Sequence, residues 1–202
     1  MNRYFITGIG TGIGKTLISA ILTEKLQADY WKPIQSGDLE VSDSKTIAGL
    51  ISNPKTIIHP ESYRLTQPLS PHLSAKLDGI EIDLNKIVIP NIENSLVIEG
   101  AGGLMVPLNE NELIIDLIKK LNIEVILVSQ NYLGSINHTL LSINLLKQFE
   151  IPLKGIIFNG DENQESERFI LQYSKVKKLG QVPSFSIINR EKVKSAGAGI
   201  LL

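Results

Sequence analysis

The stretch "YFITGIGTGIGKTLISAILTEKL", residues 4–26, constrains the fold more than any other part of this chain. An apolar run leads into a loop with glycine at positions 8, 10, 12 and 14, followed at once by Lys15 and Thr16. Beyond the loop, Leu17, Ile18, Ile21, Leu22 and Leu26 fall on one helical stripe. A dinucleotide fingerprint would need glycine at relative positions 1, 3 and 6, yet the sixth position is Ile13 counted from Gly8 and Lys15 counted from Gly10. A phosphate loop needs Gly, four residues, then Gly-Lys-Thr; Gly14, Lys15 and Thr16 satisfy its end, and Gly8 lies one residue too early. The loop therefore reads as a phosphate loop with one extra residue.

That reading has a physical basis. Consecutive N–H groups before a helix form an anion-binding concavity, to which the helix dipole adds partial positive charge. Gly12 and Gly14 allow the backbone to approach phosphate oxygens without a Cβ in the way. Lys15 is a point charge for the β- and γ-phosphates, and the Thr16 hydroxyl can ligate Mg²⁺.

The remaining chain repeats the strand-then-helix pattern. Residues 3–8, 95–100, 124–130 and 154–160 are nearly all apolar runs ending in Gly or polar residues, which suits strands buried on both faces. Residues 28–33 and 178–183 are shorter candidates. Helix-period segments cover 113–121, 136–149 and 165–176. The alternation predicts an α/β fold: a doubly wound, mainly parallel sheet with helices on both faces, of the P-loop nucleoside triphosphate hydrolase type. We expect a single ATP-binding domain over 1–202, with 53–95 as an irregular insertion over one sheet edge.

A Mg²⁺ ion needs further oxygen ligands. Glu99 ends the apolar run "SLVIE", and Gly100, Ala101, Gly102 and Gly103 beyond it leave room for a nucleotide. A carboxylate at the carboxyl end of a parallel strand stands where such sheets bind ligands. "SGDLEVSDSKT" offers a second carboxylate from Asp38 or Asp43, either of which could instead cap a helix. Lys32, held extended by Pro33, suits the stabilisation of an anionic intermediate beside the loop.

Taken in order, "TGIGTGIGKT", "KPIQSG", "SPH", "EGAGG", "LGSINHTLL" and "FNG" resemble the dethiobiotin synthetase family, from residue 4 to about residue 160. The resemblance implies a homodimeric ligase that uses ATP, Mg²⁺ and CO₂ (or bicarbonate) to close a ureido ring on 7,8-diaminononanoate. It implies that Gly12, Ile13, Gly14, Lys15, Thr16 and Leu17 wrap the ATP phosphates, and that Thr16, Asp43 and Glu99 surround the metal. Lys15 and Lys32 would be catalytic, with Thr11 and Ser36 near the substrate nitrogen. Gly100, Ala101 and Gly102 would lie along the nucleotide, Asn159 would recognise adenine, and Pro183, Ser184 and Phe185 would form a second adenine-side loop. Leu133, Gly134, Ser135 and Asn137 of the partner subunit would hold the substrate carboxylate. Gly12 departs from the acidic residue that many family members carry before the Gly-Lys-Thr.

Composition narrows the alternatives. The 202 residues contain no cysteine, which excludes thiolate nucleophiles, zinc–thiolate sites and disulfides. Twenty basic and 21 acidic residues are interspersed, with no basic block for nucleic acid or an anionic membrane. With no signal-like or membrane-length apolar run, a cytoplasmic location is expected. His59, His72 and His138 share no metal-ligand spacing and read as structural. The rival reading is a nucleotide-switch ATPase of the partition or septum-positioning type. Such ATPases usually carry a signature lysine early in the loop, where this chain has Gly8, Ile9, Gly10 and Thr11.

Overall fold

The computed structural model describes residues 1–202. In chain order the regular elements are β1 (Arg3–Gly8), α1 (Lys15–Leu26), β2 (Asp29–Trp31), β3 (Ile34–Ser36), α2 (Asp43–Leu50), β4 (Ile58–His59), β5 (Tyr63–Leu65) and α3 (Pro71–Leu77). They continue as β6 (Leu96–Gly103), α4 (Ile114–Leu121), β7 (Glu124–Gln130), α5 (Ser135–Gln148), β8 (Leu153–Asn159), α6 (Gln164–Ser174), β9 (Lys178–Val182) and α7 (Arg190–Ala196). Seven strands form one sheet in the order β4-β2-β6-β1-β7-β8-β9, and every pairing in it is parallel. The mainly parallel α/β architecture expected from the sequence is present.

Side-chain alternation splits the core across the sheet. Phe5, Ile98 and Val125 pack on one face with α4 and the end of α5, while Tyr4, Ile6, Tyr30 and Val97 pack on the other with α1 and α7. Leu127, Ile143, Phe158 and Ile170 continue the α4 face under α5 and α6. Both faces are covered, which is why the strands read as unbroken apolar runs rather than alternating ones. Helix α1 begins at Lys15 because Gly14, at φ 90°, is its N-cap and turns the chain.

Residues 53–95 contain more regular structure than their composition suggests. β4 extends the main sheet beside β2, and β5 pairs with β3 in a small second parallel sheet. Helices α2 and α7 also lie outside the helix-period segments: each has a single buried hydrophobic residue, Ile47 and Val193, too few to make a legible stripe. Trp31 and Tyr63 are packing residues whose polar atoms are satisfied, Trp31 Nε1 donating to the Pro60 carbonyl and the Tyr63 hydroxyl meeting Asp83. His59 lies 3.1 Å from Asp29, and Tyr132 bonds the ring of His138. No helix is long and apolar enough to cross a membrane.

The end of α2 is tied to α1 by one carboxylate. Glu24 accepts from Ser52 N at 2.7 Å, Ser52 Oγ at 2.6 Å, Asn53 N at 3.0 Å and Asn53 Nδ2 at 3.2 Å. Burial opposes its charge, but these donors outweigh burial and hold its pKa at about 2, against an ordinary 4.5. A folded-state pKa below the unfolded value contributes stability that is complete above the unfolded pKa and is lost as pH falls through the folded one. Glu24→Gln should therefore lower Tm by on the order of 5 °C at neutral pH. The gap to wild type should close as pH falls from 4.5 towards 2, as followed by circular dichroism melts.

Candidate active site

The carboxyl ends of β1, β2 and β6 converge on the loop between β1 and α1. Gly12 and Gly14 have φ of 73° and 90°, left-handed values that glycine adopts without strain. Gly14 caps α1 without any side-chain hydrogen bond, so the first-turn N–H groups remain free for an anion. The Lys15 ammonium curls back to donate to the Gly10 carbonyl at 2.8 Å, and Asn159 Nδ2 braces the loop from behind by donating to the Ile13 carbonyl at 3.0 Å. Asn159 stands at the end of β8, so an added Cβ on Gly14 would collide with its amide.

Thr16 Oγ1 lies 2.8 Å from Asp43 Oδ1 and 2.9 Å from Glu99 Oε1. A hydroxyl has one proton, so it can satisfy only one of these two carboxylate oxygens at a time. Lys32 completes the cluster, bonded to Asp43 and lying 3.3 Å from Glu99 Oε1. The Tyr30 hydroxyl donates to Glu99 Oε2 at 2.9 Å, and the Asp43 N–H meets Gln35 Oε1 at 3.3 Å. Together the Thr16 hydroxyl and two carboxylates form a set of hard oxygen donors with fewer protons than acceptors. Such a donor set fits a hard divalent cation such as Mg²⁺.

The electrostatics follow from this crowding. Burial pushes the Lys15 ammonium down to about 8, a fall that Glu99 and Asp43 resist and Lys32 reinforces. For Lys32, burial also opposes the charge, but Glu99 and Asp43 outweigh it and raise its pKa. Asp43 is held below its ordinary range: burial works against the charge, and Lys32, Thr16 and Lys15 overcome it. Burial and the neighbouring Glu99 raise the Tyr30 phenol well above its ordinary value, which keeps it a donor.

A cleft of about 710 Å³ opens above this cluster. Thr11, Gly12, Gly14, Lys15 and Thr16 line it from the loop, Lys32, Ser36 and Asp43 from one side, and Glu99, Ala101 and Gly102 from another. Ser36 Oγ is buried there without a hydrogen-bond partner. Asp38 also reaches the cleft, but Thr16 bonds Asp43 and not Asp38. Asp38 sits at φ 52° outside any α-helix, whereas Asp43 heads α2, which Ser42 caps by accepting from Lys45 N.

Other candidates lie off the cleft. Ile13 and Gly100 are buried, the latter against Phe5, while Leu17 packs on the α1 face of the core. Pro183 and Ser184 are exposed just past β9, and Phe185 is half-buried against the α1-side core. Leu133 is fully exposed and Gly134 caps α5 at φ 102°. Ser135 is buried and Asn137 exposed, and this segment lies on the far side of the loop, next to a second pocket containing Gly10, Thr11 and His138. Tyr30 and Gln35 are missed by motif reading. The only trace of Tyr30 in the sequence is its position two residues before Lys32, on the same strand face.

Fold and site together define a P-loop nucleoside-triphosphate-binding protein. In structure the chain is similar to a ParA family ATPase from Chlorobium tepidum, with TM-score 0.60 at 16% identity over 97% of this chain and 89% of that one. It is equally similar to the cell division ATPase MinD of Pyrococcus furiosus, with TM-score 0.61 at 17% identity over 97% and 89%. At such identities the likeness shows the fold alone. In sequence, the family described as "AAA domain" matches residues 2–192. An ATP-dependent dethiobiotin synthetase of Cytophaga hutchinsonii is 54% identical over 96% of this chain and 94% of its own length. The corresponding synthetase of Christiangramia forsetii is 55% identical over 89% and 86%, and that of Agrobacterium fabrum 46% over 97% and 92%. The chain belongs to the ATP-dependent dethiobiotin synthetase family, cyclo-ligases of biotin synthesis.

The loop geometry yields a graded expectation. Gly14→Ala combines a left-handed backbone, costing about 1–2 kcal/mol, with the Asn159 collision. Gly12→Ala meets the first cost only, because nothing lies within 4 Å of its Cβ position. Calorimetric titration should give roughly tenfold or greater loss of ATP affinity for Gly14→Ala and a clearly smaller loss for Gly12→Ala. Equal losses would mean that the collision does not matter.

Proposed function

We propose that this ATP-dependent ligase carboxylates 7,8-diaminononanoate with CO₂ and closes the ureido ring to give dethiobiotin, ADP and phosphate. The observation that carries this reading is the buried Lys32 ammonium, raised in pKa and packed between Asp43 and Glu99, beside Lys15 and Thr16 at one cleft.

One substrate amine attacks CO₂, forming an N–C bond and releasing a proton to solvent. The carbamate so formed is an anion, and Lys32 stabilises it where it develops. A carbamate oxygen then attacks the γ-phosphorus of ATP, ADP leaves, and a carbamic–phosphoric mixed anhydride results. The second amine attacks the carbonyl carbon, expels phosphate and closes the ring. Lys15 and the α1 N-terminus follow the charge on the transferring phosphoryl group, and no protein nucleophile is needed. Thr16, Asp43 and Glu99 would hold Mg²⁺, which when bound supplies charge neutralisation for the phosphate oxygens. Thr11 and Ser36 line the same cleft, which supports the reading that they lie near the reacting end of the substrate.

The remaining assignments rest on the family resemblance, with physical support from the fold. Gly12 to Leu17, with Gly100, Ala101 and Gly102, would surround the nucleotide. Asn159 would read adenine, and Pro183, Ser184 and Phe185 would flank it. Leu133, Gly134, Ser135 and Asn137 lie off their own cleft at the start of α5, so a carboxylate held there belongs to a site completed by a second subunit. The working form is then a cytoplasmic homodimer.

Phosphate release from Mg-ATP should require both diamine and bicarbonate, with one phosphate per product heavier than the diamine by one carbonyl. Lys32→Ala should lower kcat by about 10²–10³ while leaving ATP affinity within a few-fold of wild type. Diamine-independent phosphate release would remove the ring-closing reaction and leave a nucleotide switch. Equal losses of turnover and ATP affinity in Lys32→Ala would remove its role toward the carbamate.

A further inference from the structure

Glu99 is 1% exposed, and its two oxygens have separate partners. Oε1 faces Thr16 and Lys32, whereas Oε2 has a single donor, the Tyr30 hydroxyl at 2.9 Å. Tyr30 is itself fully buried on β2, the strand next to β6, and its ring belongs to the core cluster with Ile18, Ile47 and Val97. The terminal torsion of a glutamate is broad, so packing alone does not decide how the plane of the carboxylate is turned toward the loop. A ring fixed in the core, with its one proton on Oε2, does decide it.

We propose that Tyr30 is a positioning residue for metal binding: its phenol locks the Glu99 carboxylate so that Oε1 is presented to Thr16 and the phosphate loop. This rests on the reading of Glu99 as a metal ligand. Hydrogen-bond partners behind a ligating carboxylate orient it, and their removal weakens metal binding by about 10–100-fold. Tyr30 is fully buried, does not line the cleft and reaches the site only through Glu99. It also links the site to the core, because the strand pairing that aligns Tyr30 with Val97 puts Glu99 two residues further along the same face of β6.

The test titrates Mn²⁺ into the full chain with a non-hydrolysable ATP analogue, reading free Mn²⁺ by paramagnetic resonance. Wild type, Tyr30→Phe, Glu99→Gln and the double variant are compared. Tyr30→Phe keeps the ring and should weaken Mn²⁺ about tenfold, and the double variant should be no weaker than Glu99→Gln alone. Analogue affinity measured in EDTA should be unchanged in Tyr30→Phe; a merely structural defect would lower it with and without metal alike, and would overturn the proposal. Wild-type Mn²⁺ affinity in Tyr30→Phe, or additive losses in the double variant, would also overturn it while leaving Glu99 as a ligand. Unchanged Mn²⁺ affinity in Glu99→Gln would overturn both. Should Tyr30→Phe not fold, 3-fluorotyrosine at position 30 keeps the hydroxyl, and its ¹⁹F resonance should move when Mn²⁺ is replaced by diamagnetic Mg²⁺ and titrated with the analogue. A static resonance would count against the coupling.

Discussion

Lys32, Asp43 and Glu99 meet in one largely buried cluster at the carboxyl edge of the sheet, and most of the local structure depends on keeping that cluster satisfied. Lys32 and Glu99 are buried and Asp43 is partly so; taking such charges out of water is costly, and mutual attraction offsets the cost only when geometry is good and the remaining lone pairs find donors. Those donors come from two elements, Thr16 from the first turn of α1 and Tyr30 from β2, while Gln35 on β3 accepts from the Asp43 N–H and so holds the helix that carries that carboxylate. Apolar replacements of the same volume for buried ion pairs are often as stable or more so. The cluster is therefore better understood as machinery than as a staple, since its charges are those that the proposed phosphoryl transfer to a carbamate would require.

The parallel sheet explains how residues distant in sequence reach this point. β1 and β6 are adjacent, with Ile6 opposite Glu99, so the start of the loop and the acidic strand end leave the sheet side by side. β2 lies on the other flank of β6 and delivers Lys32. Crossovers in parallel sheets return each chain end to the same edge, which gathers a loop, a lysine and two carboxylates without any local sequence signal linking them.

Much of this was legible in the sequence, for definable reasons. Strands buried on both faces write themselves as apolar runs, and the Gly14-Lys15-Thr16 loop carries its chemistry openly. The choice between Asp38 and Asp43 was not legible. It depends on α2, a helix of eight residues with only Ile47 buried, and on a Ser42 cap that competes with other polar residues in the same stretch. β4 is not legible because two residues carry no periodicity. Tyr30 escaped because an aromatic residue in a strand normally denotes packing, and its polar function depends on which carboxylate lies across the strand.

The connection from Lys32 to Asp43 shows how a short segment delivers its carboxylate. Leaving the sheet after β2, the chain pairs β3 with β5, turns at Gly37 with φ 71°, and starts α2 six residues later. A Cβ at Gly37 would run into the Pro68 backbone, so the turn is held against the chain that leads to α3. Gln35, nearly fully buried, spans this turn: its Nε2 donates to the Gly37 carbonyl at 3.0 Å, and its Oε1 accepts from the Asp43 N–H. One amide thus ties the turn to the helix that carries the carboxylate. Conformational freedom that a short loop would otherwise leave at Asp43 is removed before any ligand arrives, and preorganisation of that kind is what electrostatic catalysis needs.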